Sequence, residues 1–269
     1  MKSLYERTIL ITGASSGIGY VAAELFAQEG YTVYATSRHC KEEERNVGSG
    51  TIISKQMDVT DLHSIQKVVS MIEKIGIVLH CAGFGIAGAS EEVPIELVEQ
   101  QMNTNYLGVL RVNSLVLPKM RKCKSGLVLI VSSIGGRIAL PFQSHYSSSK
   151  FALEAYAEAL RTELMPFNIR VSLIEPGDTA TEFTDKRQTW CNDDSPYSLE
   201  CMKAVNRMIQ DEQNGKSPDS VAKVLIRLTR AKRVPIRKVV GIDYKFIILL
   251  QKFAPSKWIA WLVRKYYTN

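Results

Sequence analysis

No stretch of this 269-residue chain approaches the about 18–20 consecutive apolar residues that a membrane span requires. The opening residues, Met1-Lys2-Ser3-Leu4-Tyr5-Glu6-Arg7, lack the apolar core of a secretory leader, so a cytoplasmic location is expected. Cysteine is sparse and unpatterned. Cys40, Cys81, Cys123, Cys191 and Cys201 are odd in number and form no CxxC, which predicts reduced thiols and no structural zinc or other bound metal. Internal repeats and low-complexity linkers are also missing, so residues 1–269 are expected to form one domain. Acid is nearly absent from one region only. Residues 230–269 hold ten Lys and Arg against Asp243, whereas the rest of the chain carries a slight negative balance beneath the total of +7. A charge so placed removes the case for a nucleic-acid binder and marks a basic tail.

What is present is a regular alternation. Short apolar runs at Thr8 to Thr12, Tyr31 to Thr36, Gly50 to Gln56, Ile77 to His80, Leu127 to Val131 and Ile169 to Ile174 read as strands. Helical stretches lie between them at Tyr20 to Gln28 and at about 62–75, 95–120 and 146–165. Strands alternating with helices predict βαβ units, hence an α/β fold with a doubly wound parallel sheet and a ligand crevice at the strands' carboxyl ends. Residues 182–216 break the rhythm, mixing Phe183, Trp190, Tyr197, Met202 and Met208 with polar residues, and are expected to form a substrate lid. Ser217-Pro218-Asp219 then reads as a helix start.

Two local patterns carry chemistry. The turn Gly13-Ala-Ser15-Ser16-Gly17-Ile18-Gly19 follows the first strand and opens the first helix, where glycines and a helix N-terminus suit a pyrophosphate. Its spacing is GxxxGxG, not the commoner GxGxxG. The end of the second strand lacks the acid that an NAD site uses for the ribose; Ser37 and Arg38 stand there instead and predict NADP(H). Tyr146 and Lys150, four residues apart, share one helix face, where an ammonium is expected to lower the phenol's pKa for proton transfer. By itself such a pair is more often part of a solvated helix face than of a site.

Taken together, these motifs resemble the short-chain dehydrogenase/reductase family from Thr8 to about Thr181. Asp58-Val59 matches the family's adenine contact, Asn105 its mid-helix asparagine, and Ser133, thirteen residues before Tyr146, its catalytic serine. Pro176-Gly177, with Thr179 and Thr181 after it, resembles the segment that holds the nicotinamide carboxamide. The resemblance implies Tyr146 as general acid/base, Lys150 as its pKa-lowering partner and ribose contact, Ser133 as a donor to the carbonyl oxygen, and Asn105 as the anchor of a water in a proton path. It also implies a homo-oligomer, dimer or tetramer. One departure stands out: His80-Cys81-Ala82-Gly83 replaces Asn-Asn-Ala-Gly. Ala82 and Gly83 still permit close cofactor approach, and His80 reads as a satisfied core residue.

Leu140, Phe142, Phe183, Trp190 and Met208 suggest an apolar substrate side, with His145 facing substrate beside Ser133 and Tyr146. The sequence around Ser133 and Tyr146 resembles family members acting on hydroxysteroids, retinol-like alcohols or acyl-dihydroxyacetone phosphate. A hydroxysteroid or bile acid is therefore the leading expectation, a retinoid, acyl-dihydroxyacetone phosphate or 3-oxoacyl lipid the alternative. A catalytically silent NADPH-binding regulator is the rival from another class. Residues 231–269 read as a basic amphipathic extension, lying on an anionic bilayer or packed on the body or a sister subunit.

Overall fold

The structure, a computed structural model, describes residues 4–268. The strands are β1 Thr8–Thr12, β2 Thr32–Ser37, β3 Glu43–Val47, β4 Gly50–Gln56, β5 Ile77–His80, β6 Ile86–Gly88, β7 Gly126–Val131, β8 Ile169–Pro176, β9 Gln188–Trp190 and β10 Arg237–Val240. The helices are α1 Gly17–Gln28, α2 Leu62–Met71, α3 Ile95–Met102, α4 Gly108–Cys123, α5 Ser144–Leu164, α6 Ser198–Gln213, α7 Pro218–Thr229, α8 Ile242–Gln251 and α9 Ser256–Thr268. Eight strands make one sheet in the order β10-β8-β7-β5-β1-β2-β4-β3, parallel except for the β3–β4 hairpin at its edge.

Both faces of this sheet are covered, which explains why its strands read as continuous apolar runs instead of alternating ones. On one face Ile9, Ile11, Leu79 and Leu129 pack with Phe26 of α1 and Leu225 of α7; on the other Leu10, Val78 and Val128 pack with Val112 of α4 and Leu153 of α5. Each such side chain, fully buried, contributes about 1.5–3 kcal/mol. The chain leaves β1 toward β2 and β4, then crosses back to place β5 on β1's other side. The crevice between the ends of β1 and β5 is thus the topological switch point, where such sheets receive their ligand.

The expected third strand is β4. Ahead of it, β3 carries Glu43-Glu44-Arg45-Asn46, whose charges conceal a strand until β4 supplies the pairing. The expected helix over 95–120 is α3 and α4 joined by a π-helical turn, Asn103–Leu107, a local insertion of the kind often found at functional sites. The basic extension expected from 231 also needs correction, since Arg237–Val240 is β10, the sheet's far edge. It belongs there because Arg237 pairs with Glu154 of α5 at 2.8 Å and lies 3.4 Å from Glu175 of β8, which Arg137 meets at 3.1 Å. Glu175 is fully buried, and burial first of all pushes its carboxyl up to about 7.

The expectation of reduced thiols is overturned at one pair: Cys191 and Cys201 form a disulfide, their Cα atoms 5.9 Å apart. Pairing of β9 with β6, away from the main sheet, brings the end of β9 against α6, a proximity that the spacing of the two cysteines does not announce. Cys40, Cys81 and Cys123 are free. Thiol titration of the unfolded, unreduced protein is expected to count these three; all five cysteines reacting would show the pair open.

Candidate active site

The crevice at the switch point is a cleft of about 990 Å³, walled by the β1–α1 turn, the ends of β4, β5, β7 and β8, and parts of 181–188 and the last two helices. Gly13 and Gly17 have left-handed backbone (φ 67° and 55°), and a Cβ on Gly13 would lie 2.7 Å from the Ala82 backbone. A Cβ on Gly19 would lie 2.2 Å from the Gly13 carbonyl oxygen. The glycine turn therefore folds back on the Cys81-Ala82 segment, leaving the α1 N-terminus facing the cleft. Thr12 secures that second segment, its hydroxyl accepting from the backbone N–H of Cys81 and of Ala82, each at 3.2 Å. The threonine thus fixes the backbone of the segment in which Cys81 stands where the family has asparagine.

Ser15, Ser16, Ile18, Ser37, Arg38, Asp58, Val59, Ala82, Gly83, Pro176, Gly177, Thr179 and Thr181 all line the same cleft with the three glycines. Arg38 is exposed, and the Ser37 hydroxyl is buried with no partner among the described residues. An unpaired hydroxyl and a free guanidinium at a strand end suit a phosphate. The open glycine cradle and this donor pair fit a nicotinamide dinucleotide.

Tyr146 is buried and lines the cleft with Ser133 and Lys150. Lys150 Nζ donates to the Val131 carbonyl oxygen at 2.9 Å and lies 5.7 Å from the Tyr146 ring centre. The expectation of a lowered tyrosine pKa does not hold here. Burial pushes the phenol up to about 12, against a smaller downward pull from its bond with Ser133. Lys150 turns its ammonium to a backbone carbonyl, and burial lowers that ammonium to about 8. The arrangement keeps a protonated phenol over the crevice, able to give its proton to an oxygen that is acquiring charge.

Asn105 is buried in the π-helical turn. Its amide accepts from the Phe84 N–H at 3.0 Å and donates to the Phe84 carbonyl at 3.0 Å and to Ser149 at 3.1 Å. The side chain is spent on fixing Phe84, in the loop between Gly83 and β6, one layer behind the cleft. His80 is a core residue held by Asn113 at 2.9 Å, with burial lowering its pKa to about 4.

The expected substrate residues separate. Leu140 and Phe183 line the cleft, the Phe183 ring 5.7 Å from that of Tyr146. Phe142 lines an adjoining recess, which Leu140 also borders. His145 lies outside both, its Nε2 3.2 Å from the Ser90 carbonyl oxygen, because the first turn of α5 aims it away from Tyr146. Trp190 stands exposed on β9 and Met208 is buried on α6, and neither lines the cleft.

Several residues there had no signal in the sequence. Lys186 reaches the glycine turn, donating to the Ser16 hydroxyl at 2.9 Å. Buried Arg187 pairs with Glu212, which also accepts from Thr184 at 2.6 Å. Tyr244 lies over Gly177, where any Cβ would strike its ring, and its hydroxyl bonds Asp178. Tyr267 borders the cleft from α9. Lys186, Arg187, Tyr244 and Tyr267 lie 40 to 121 residues after Tyr146 in the chain, where local patterns carry no information about proximity.

Known proteins agree with this geometry. The family model for short chain dehydrogenases matches residues 7–192. A 3-ketodihydrosphingosine reductase of Bacteroides thetaiotaomicron is 37% identical over 98% of this chain and 99% of its own length. Retinol dehydrogenase 8 of Bos taurus is 31% identical over 93% and 86%. A short-chain dehydrogenase structure from Streptomyces avermitilis superposes with a TM-score of 0.80 at 26% identity, covering 94% of each chain. With a family model over residues 7–192, a relative matched end to end and a shared architecture, this chain is an oxidoreductase of the short-chain dehydrogenase/reductase family.

Proposed function

We propose that this protein is an NADP(H)-dependent reductase of a lipophilic ketone, with a long-chain amino ketone of the 3-ketodihydrosphingosine class as its leading substrate. The observation that carries the reading is the end-to-end similarity to a reductase of that name. Covering 98% of this chain, it extends well past residue 192, where the family match ends. Phe84, Leu140, Phe183, Tyr244 and Tyr267 give that side an apolar wall, suited to an alkyl chain. Asp178, which lines the same cleft and lies close enough to influence Tyr146, offers a carboxylate to an amino group. A neutral steroid would offer no cation to that carboxylate, whose partner in the structure is the Tyr244 hydroxyl, so the hydroxysteroid expectation ranks second.

NADPH, when bound, supplies the hydride. The glycine turn, Asp58-Val59 and the Pro176 to Thr181 segment would hold it, with Ser37 and Arg38 on the 2′-phosphate. Tyr146 donates its proton to the carbonyl oxygen as the carbonyl carbon is reduced, and Ser133 bonds the same oxygen. Lys150, while charged, stabilises the phenolate that Tyr146 becomes; Asn105 positions Phe84 at the cleft's rim. Residues 182–216 serve as the lid, tied to the phosphate loop through Lys186. A homo-oligomer remains part of the proposal on family grounds.

An NADPH-oxidation assay across sphingoid, retinoid, 3-oxoacyl and steroid ketones tests the substrate. The sphingoid ketone is expected to give the highest kcat/KM; a steroid preferred over it would overturn the choice. Arg38→Ala is expected to weaken NADPH binding about 10–100-fold and leave NADH unchanged; equal losses for both would contradict NADP(H) selectivity. Because the Lys150 ammonium loses its proton near 8 while Tyr146 stays protonated to about 12, ketone reduction should hold level through neutral pH. It should fall above about pH 8, approaching tenfold per pH unit. A rate that stays flat into alkaline solution would contradict this role for Lys150.

A further inference from the structure

Ten of the 22 large apolar side chains that stand exposed among the described residues fall within 242–266, in α8, α9 and the turn between them. Phe253 is 81% exposed, Phe246 and Trp258 61%, and Trp261 59%. A solvated face of this size on a folded protein is a place where something docks. The helices are not loose. Ile248 is buried, Gln251 donates to the Arg137 carbonyl at 2.7 Å, and Tyr266 bonds Asp211 of α6 at 2.9 Å. One side of the pair is fixed to the body and the other is presented to solvent.

The charge around that face identifies its partner. Lys245, Lys252, Lys257, Arg264 and Lys265 are all exposed, and none pairs with a carboxylate among the described residues. Tryptophans and phenylalanines interleaved with unneutralised bases match the boundary of an anionic bilayer, where aromatic rings enter the headgroup level and bases meet lipid phosphates. No described helix is long and apolar enough to cross a membrane, so the segment would lie on the surface. A second copy of the chain would set these five bases against an equally basic face.

The same helices border the cleft. Tyr244 of α8 and Tyr267 of α9 line it, and Arg264 and Thr268 line the recess that adjoins it at Leu140. We infer that α8 and α9 form a docking face for an anionic lipid bilayer, seated so that the cleft they border lies beside the lipid. A substrate carrying a long apolar chain would then reach Tyr146 from the membrane instead of from water. The docking itself does not depend on which ketone is reduced.

The test is sedimentation of the full chain with phosphatidylcholine vesicles, with and without phosphatidylserine. Binding is expected to require phosphatidylserine and to weaken with salt. The double variant Lys252→Glu/Lys257→Glu should lose about tenfold or more of that binding, and Phe253→Ser/Trp258→Ser at least as much. Circular dichroism and thermal unfolding verify that both variants fold. As a check on the unaltered protein, brominated lipid should quench tryptophan fluorescence, since Trp258 and Trp261 are two of three tryptophans. Binding indifferent to phosphatidylserine, absence of quenching, or a lipid-indifferent dimer that Phe253→Ser/Trp258→Ser converts to monomer would overturn the inference. None of these readouts uses turnover, so failure of the substrate assignment would leave them unaffected.

Discussion

Burial of one ammonium governs the active-site floor. Lys150 sits under the crevice with its charge directed at the Val131 carbonyl at the end of β7, and desolvation lowers its pKa toward the physiological range. An uncompensated charge in such a place would be lost to deprotonation or to a shifted side chain. The backbone carbonyl fixes its position, and this requires β7 to end where it does against β5 and β8. The parallel sheet thus serves the site directly: its carboxyl-end carbonyls hold the lysine, its switch point opens the crevice, and α5 carries tyrosine and lysine on one face. Burial raises the phenol of Tyr146, so the protein alone holds the site in its proton-donating state.

The extent of the sequence's legibility follows from the range of the interactions involved. The glycine turn, Ser37-Arg38, Asp58-Val59 and the Ser133–Tyr146–Lys150 set could be read because each is a local pattern tied to one strand end or one helix turn. Long apolar runs revealed β1, β4, β7 and β8 for the same reason: a buried parallel strand needs no partner to declare itself. Glu43 to Val47 and Arg237 to Val240 did not, since their polar side chains become strands only by pairing with β4 and β8. The Cys191–Cys201 bond and the Lys186–Ser16 contact depend on how 182–216 folds back, which no local spacing encodes. His145 shows the opposite error, where adjacency in sequence to Tyr146 implied a shared direction that the helix does not give.

The C-terminal forty residues draw several of these threads together. They supply the sheet's last strand through Arg237 and its buried carboxylates, then two helices whose inner tyrosines border the cleft and whose outer face is apolar and basic. Tyr244 on Gly177 and Asp178 couples this tail to the segment that follows β8 at the cleft. The cleft is thereby bordered in part by a stretch of the chain outside the matched family region.

In the proposed reaction Tyr146 protonates a sphingoid-type ketone as NADPH reduces it. The most direct measurement follows deuterium from C4-labelled NADPH into the alcohol carbon of the product, for the unaltered protein and for Tyr146→Phe, with dinucleotide binding recorded in parallel. Label is expected in the long-chain amino alcohol from the unaltered protein, and none above background from Tyr146→Phe while NADPH binding is retained. Undiminished label transfer by Tyr146→Phe, or no transfer by the unaltered protein to any lipophilic ketone, would contradict it.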